Sequence, residues 1–262
     1  MVRPKKFLGQ HFLKDDNIAK KIVEALEVNA SEELPVLEIG PGTGVLTKFL
    51  VTRFPTNLHL VEIDRESIGH LHKTFPNLEG RIHQADILQI DLRNLFPGPF
   101  LIIGNFPYNI SSQIFFAVLD HRDRVTQVVC MLQKEVADRI ASKHGNKVYG
   151  ILSVLLQAYY DIESLFKVSP GVFHPPPKVM SAVIRLKRNA RKQLPCDESL
   201  FRSVVKEAFQ KRRKTLRNAL KHLNLPASIR GLELMDKRPE QLSVEDFIYL
   251  TQRIKQDGGD QI

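Results

Sequence analysis

The 262-residue chain has no tryptophan and two cysteines. Cys130, in the apolar run VVCML, and Cys196, in a polar connector, give neither a disulfide framework nor a metal-ligand spacing, so both are read as free thiols and no metal is expected. No apolar run approaches the ~20 residues that cross a bilayer, and MVRPKKFLGQHF lacks the continuous apolar core of a signal sequence. These absences point to a cytoplasmic protein without a membrane partner. Acidic residues are in deficit, with 38 Lys and Arg against 29 Asp and Glu and a net charge of +9. Such an excess favours a polyanion through phosphate contacts and counterion release, without choosing among nucleic acids. Internal repeats and low-complexity tracts are missing too. The length suits one large domain, or one domain with a smaller companion.

What is present is alternation. VLEIG (36 to 40), HLVEID (59 to 64), RIHQADIL (81 to 88), FLIIGN (100 to 105) and TQVVCML (126 to 132) read as strands separated by helical patterns or loops. That is βαβ architecture, an α/β fold with a mainly parallel sheet covered on both faces. YGILSVLLQAYY (149 to 160) reads as a helix, and LFKVSPGVF with KVMSAVIRLK as two strands that close the sheet antiparallel. From about residue 190 the strands stop, and helices are expected near 198 to 210, 212 to 223 and 243 to 256, the last opened by a capping box of Ser243 and Asp246. The expected division is therefore 1–188 and a small all-α domain over 189–262, with the terminal GGDQI frayed.

Four strand ends carry the chemistry. Glycine-rich GPGTG, with Gly40 and Gly42, follows the first strand, and glycine permits close backbone approach to a ligand. Alone it is a tight turn. Glu62, 22 residues beyond Gly40 and ending the next strand, can accept both hydroxyls of a ribose. The spacing departs from GxGxxG, which favours an adenosine without a pyrophosphate. Asp86 ends the third strand and can accept from an adenine amine, and Asn105 ends the fourth; in an open parallel sheet ligands bind beyond such ends.

These motifs, with FLGQHFL (7 to 13), MLQKEVADRI (131 to 140), VFHPPPKVMSAVIRL (172 to 186) and AFQKRRKTLRN (208 to 218), resemble class I S-adenosyl-L-methionine-dependent methyltransferases, and within them the ribosomal RNA adenine N6-dimethyltransferase family. The resemblance runs over nearly the whole chain. It implies a Rossmann-like, seven-stranded, mainly parallel sheet and cofactor contacts from His11, Leu13, Gly40, Gly42, Glu62, Asp86 and Asn105. It also implies dimethylation of two adjacent adenosines near the 3′ end of small-subunit (16S) ribosomal RNA; a pre-30S particle is the expected substrate, because an adenosine pair in a hairpin is easiest to define by shape, and a monomer is expected. His11 stands where Asn is more usual, Phe106 where Leu is common, and Ile151 where Arg usually follows Tyr-Gly, so an RNA contact from position 151 is not expected.

GNFPYNIS (104 to 111) can be read as a turn, but its chemistry goes further. Adenine's exocyclic amine is a poor nucleophile because its lone pair is delocalised into the ring. The Asn105 side-chain oxygen and the Phe106 carbonyl can accept its hydrogens, and Pro107 fixes where that carbonyl points. Tyr108 offers a flat face to the base, with Phe173 as a second candidate. Lys211, Arg212, Arg213 and Lys214 are commonly a solvated helix face; beside an adenine-modifying site they are expected to touch RNA phosphates. Two other classes stay open: an adenine N6-methyltransferase of large-subunit RNA or DNA, and a non-catalytic RNA-binding assembly factor. DNA enzymes more often read Asn-Pro-Pro-Tyr, and a damaged cofactor loop would mark the non-catalytic class.

Overall fold

The computed structural model describes residues 2–28 and 33–258; of the GGDQI segment expected to fray, Gly258 ends the last helix and 259–262 lie outside the described residues. Its strands are β1 (Phe12–Leu13), β2 (Val36–Ile39), β3 (Leu58–Glu62), β4 (Ile82–Gln84), β5 (Phe100–Asn105), β6 (Val125–Gln133), β7 (Tyr160–Val168), β8 (Phe173–His174) and β9 (Ser181–Arg188). Seven of them form one sheet in the order β4-β3-β2-β5-β6-β9-β7. Pairing is parallel from β4 through β6, and β9 runs antiparallel to β6. β2 is buried at every position, as a central parallel strand must be when both its faces are covered. Helices Asp16–Glu24 and Arg65–Thr74 begin at Asp15 and Asp64, whose carboxylates accept from the first free backbone N–H groups.

The closing strands differ from the sequence reading. β7 begins at Tyr160 and ends at Val168, because Pro170 opens a 3-10 turn over Pro170–Val172. Phe173 and His174 then leave the large sheet and pair antiparallel with β1, Leu13 facing Phe173. The second of the two expected strands, β9, inserts between β6 and β7.

By its contacts the chain divides into one unit of 1–137 and 161–188 and another of 138–160 and 189–262. The stretch 138–160, which the sequence groups with the sheet, belongs to the helical unit. Gln157 Nε2 donates to the carbonyls of Ile140 and Ser142 at 2.9 and 2.8 Å, folding this stretch on itself. Tyr149, Phe209 and Phe247 form an aromatic line with centroid spacings of 6.1 and 6.0 Å. Helix Glu198–Gln210 buries Phe201, Val204, Val205, Ala208 and Phe209. No helix forms over 212 to 223 as one piece: a turn at 211–215 precedes short helix Leu216–Ala219 and a 3-10 turn Lys221–Leu223. Lys211 and Lys214 would form a like-charge i,i+3 pair on a continued helix, which disfavours one there. Among the described residues no helix is long and apolar enough to cross a membrane.

Candidate active site

The chain runs from β2 outward to β3 and β4, then returns to the other side of β2 as β5 and continues to β6. The order in which strands are added therefore reverses between the parallel neighbours β2 and β5, and a crevice opens beyond their carboxyl ends. Gly104, the penultimate residue of β5, lies so close to β2 that an added Cβ would meet the Ile39 carbonyl at 2.5 Å. Gly42 has φ +57°, and a Cβ there would meet the Phe12 ring at 2.8 Å. The resulting cleft has a cavity volume of about 230 Å³. Gly40, Gly42, Glu62, Asp86, Asn105, Phe106, Pro107 and Tyr108 line it, joined by His11 from the N-terminal segment.

On the β3 and β4 side the polar groups are largely committed to the protein. Glu62 is buried; Oε1 accepts from the N–H groups of Ile63 and Asp64 at 2.9 Å each, and Oε2 from Gly42 at 3.0 Å. A carboxylate offers about four acceptor sites, so one remains, on Oε2. Glu62 can therefore take one ribose hydroxyl as it stands rather than two. Burial raises its pKa, and the three N–H donors oppose that rise. Behind it, Glu38 accepts from Thr47 Oγ1 at 2.7 Å, and burial together with the Glu62 charge pushes its pKa up to about 8. Asp86 accepts from Leu88 N at 2.9 Å and from Gln89 Nε2 at 3.3 Å, leaving acceptor capacity toward the cleft.

The β5 side is arranged differently. Asn105 Nδ2 donates to the His11 carbonyl at 2.9 Å, while its Oδ1 is buried with no hydrogen-bond partner. Tyr108 is fixed at its hydroxyl by a hydrogen bond to buried Ser181, and its ring lies 5.1 Å from that of His11. His11 Nδ1 in turn pairs with the Pro175 carbonyl at 2.7 Å. The Phe106 ring is buried edge-on against Phe115, and its N–H donates to the Met131 carbonyl at 2.9 Å, so only its backbone is available for chemistry.

Two sequence-predicted residues do not reach the cleft. Leu13 and Phe173, facing each other across β1 and β8, are 4% and 1% exposed and belong to the core beneath the sheet. Phe173 therefore has no free face for a base. Lys211, Arg212, Arg213 and Lys214 lie in the helical unit, all exposed, in a turn instead of on a helix. Arg212 donates to the Lys147 carbonyl; the other three side chains have no partner among the described residues. Sequence reasoning missed Ile63, Ile87 and Leu88, which line the cleft beside the acids. Their signal was position: each lies one or two residues beyond a strand-end carboxylate. Gln10 and Asn109, also lining the cleft, carried no such signal.

The site's geometry can be set beside known proteins. The family described as "Ribosomal RNA adenine dimethylase" matches residues 1–256. Two relatives named "Ribosomal RNA small subunit methyltransferase A" are similar over nearly the whole chain. That of Parabacteroides distasonis is 58% identical, covering 96% of this chain and 94% of its own length. That of Flavobacterium johnsoniae is 55% identical, covering 98% of each. Among solved structures, a dimethyladenosine transferase from Plasmodium falciparum superposes with a TM-score of 0.79 at 26% identity, covering 95% of this chain and 98% of that one. The 23S rRNA methyltransferase ErmE gives 0.63 at 26% identity, over 92% and 99%. The fold is that of a class I methyltransferase, and the chain belongs to the ribosomal RNA adenine dimethylase family.

Proposed function

We propose that the protein uses S-adenosyl-L-methionine to dimethylate N6 of two adjacent adenosines near the 3′ end of small-subunit ribosomal RNA, in the course of subunit assembly. The observation that carries this reading is the buried, unpartnered Oδ1 of Asn105. An unpaired buried acceptor costs stability, about 1–3 kcal/mol, unless a donor arrives, and an adenine amine is such a donor. Glu62 and Asp86 fit a ribose hydroxyl and an adenine amino group of the cofactor, and Ile63, Ile87 and Leu88 suit the faces of its base. When bound, the cofactor supplies an electrophilic methyl on a sulfonium, which already has a neutral leaving group.

The chain's own task is to hold the substrate amine in line and free its lone pair. Asn105 Oδ1 and the Phe106 carbonyl accept the two amine hydrogens, drawing the nitrogen out of conjugation with the ring. Tyr108 stacks on the base, and its tethered hydroxyl keeps the ring from turning away. No general base is needed, because the methylated amine is cationic and gives its proton to water. After one transfer one hydrogen remains to be held; after two none does, and the product leaves.

The identity of 58% and 55% to proteins named for the small subunit favours that RNA over the large-subunit RNA of ErmE. The proposal extends to a cytoplasmic monomer acting on a pre-30S particle, and to phosphate contacts from Lys211, Arg213 and Lys214. Incubation with labelled S-adenosyl-L-methionine and unmethylated small subunits, naked small-subunit RNA or large-subunit RNA, followed by mapping of the modified base, tests it. Dimethyladenosine at an adjacent pair in small-subunit RNA is expected; label confined to large-subunit RNA or DNA overturns it.

A further inference from the structure

We propose that the Phe7 ring is a stacking platform for the base next to the adenosine held in the cleft, so that while one adenosine of the pair is methylated its neighbour rests on Phe7. This rests on the RNA-adenine reading above. Phe7 is 77% exposed, more than any other large apolar side chain among the described residues. Its backbone is nevertheless fixed. The 3-10 turn Lys6–Leu8 is closed by Gly9 N donating to the Lys6 carbonyl at 3.0 Å and Leu8 N to the Lys5 carbonyl at 3.1 Å. Asn109, one residue beyond Tyr108, donates from Nδ2 to the Phe7 carbonyl at 3.4 Å.

The turn is thus tied to the loop that carries the methyl-acceptor groups, and the next two residues, Leu8 and Gly9, line the cleft. An aromatic ring held at the mouth of an adenine site and turned to solvent contributes nothing to the core. Its neighbours point to a nucleic acid instead of an apolar partner: Arg3 and Lys6 are exposed, and neither side chain has an ion pair among the described residues. A ring for base stacking between cations for phosphates is how single-stranded nucleic acid is held without reading its sequence. The need is real, since one base withdrawn from its stack leaves its neighbour uncovered. Phe173, buried in the core, cannot meet it.

The test uses the intact protein with unmethylated small subunits and with a short RNA hairpin carrying 2-aminopurine at one of two adjacent adenosine positions. 2-Aminopurine lacks the N6 amine, so it cannot fill the acceptor site and should occupy the neighbouring place. Binding to the wild-type protein is expected to quench its fluorescence. Phe7→Ala and Phe7→Leu should lose the quench and raise KM for small subunits about tenfold, with S-adenosyl-L-methionine affinity and kcat nearly unchanged; Phe7→Tyr should restore both. A full quench with Phe7→Ala, a KM equal to wild type, or a Leu variant that behaves like wild type overturns the proposal. Failure of the substrate reading looks different: the wild-type protein itself then leaves small subunits unmethylated.

Discussion

The two halves of the cleft are built to opposite rules. Toward β3 and β4, Glu62 spends three of about four acceptor sites on the protein's own N–H groups, so the wall stays in place whether or not a ligand is there. Toward β5, Asn105 is aimed by one hydrogen bond from its nitrogen while its oxygen has none. A reusable binding wall profits from saturation. A group that must grip a hydrogen and then let it go profits from an open valence, since nothing in the protein competes for it.

The contrast can be broken most severely at Asn105. Asn105→Ala should lower kcat by roughly 10²-fold or more, as loss of one positioned polar group does in a preorganised site, and should lower cofactor affinity far less. Single-turnover transfer to small subunits with a parallel binding isotherm separates the two, and near-normal turnover would remove Asn105 from the chemistry. Glu62→Gln attacks the saturated half. Its amide presents hydrogens to N–H donors, so cofactor affinity should fall by roughly 10- to 100-fold, about 1–3 kcal/mol, with kcat at saturation largely kept. Equilibrium binding of S-adenosyl-L-methionine reads the effect directly.

A smaller change is expected from the helical unit. Replacing Arg213 and Lys214 with Ala should weaken RNA binding at low salt and flatten the slope of log affinity against log salt by about 0.7–0.9 per lost phosphate contact. An unchanged slope returns the turn to a merely solvated role. The smallest effect at neutral pH belongs to Glu38, whose proton is held up to about pH 8 in the folded chain against an ordinary value of 4.5. Because the folded pKa is raised, its contribution to stability is complete below 4.5 and is lost as pH rises through 8. Glu38→Gln has no proton to lose, so Tm should fall less steeply across that window, with Glu62 contributing the slope that remains. Identical Tm profiles would place the pH dependence elsewhere.

The sequence made the β half of this architecture readable for a physical reason. Gly40, Glu62, Asp86 and Asn105 stand at carboxyl ends of strands in an open parallel sheet, where position predicts direction. It was blind where direction depends on partners far along the chain. Phe173 sits in a two-residue pairing with β1, too short to show a period, so its inward course had no trace in the sequence. The run 211–214 carried helical-looking neighbours but opens into a turn. Of the helix expected over 149 to 160 the structure keeps Ile151–Gln157 and gives Tyr160 to β7, and apolar periodicity does not say which unit a helix face will meet. Exposure was equally unreadable at Phe7, a residue type whose usual place is inside.

Tyr108 is held by Ser181, 73 residues later, and His11 by Pro175, 164 residues later. Both tethers come from the segment that ends the sheet, so the acceptor wall has no fixed ring until nearly two hundred residues have emerged from synthesis and β9 has slid in beside β6. A nascent chain can lay down β2 to β5 early, but its methylating geometry arrives with the last strand, and a truncated product would be left inert.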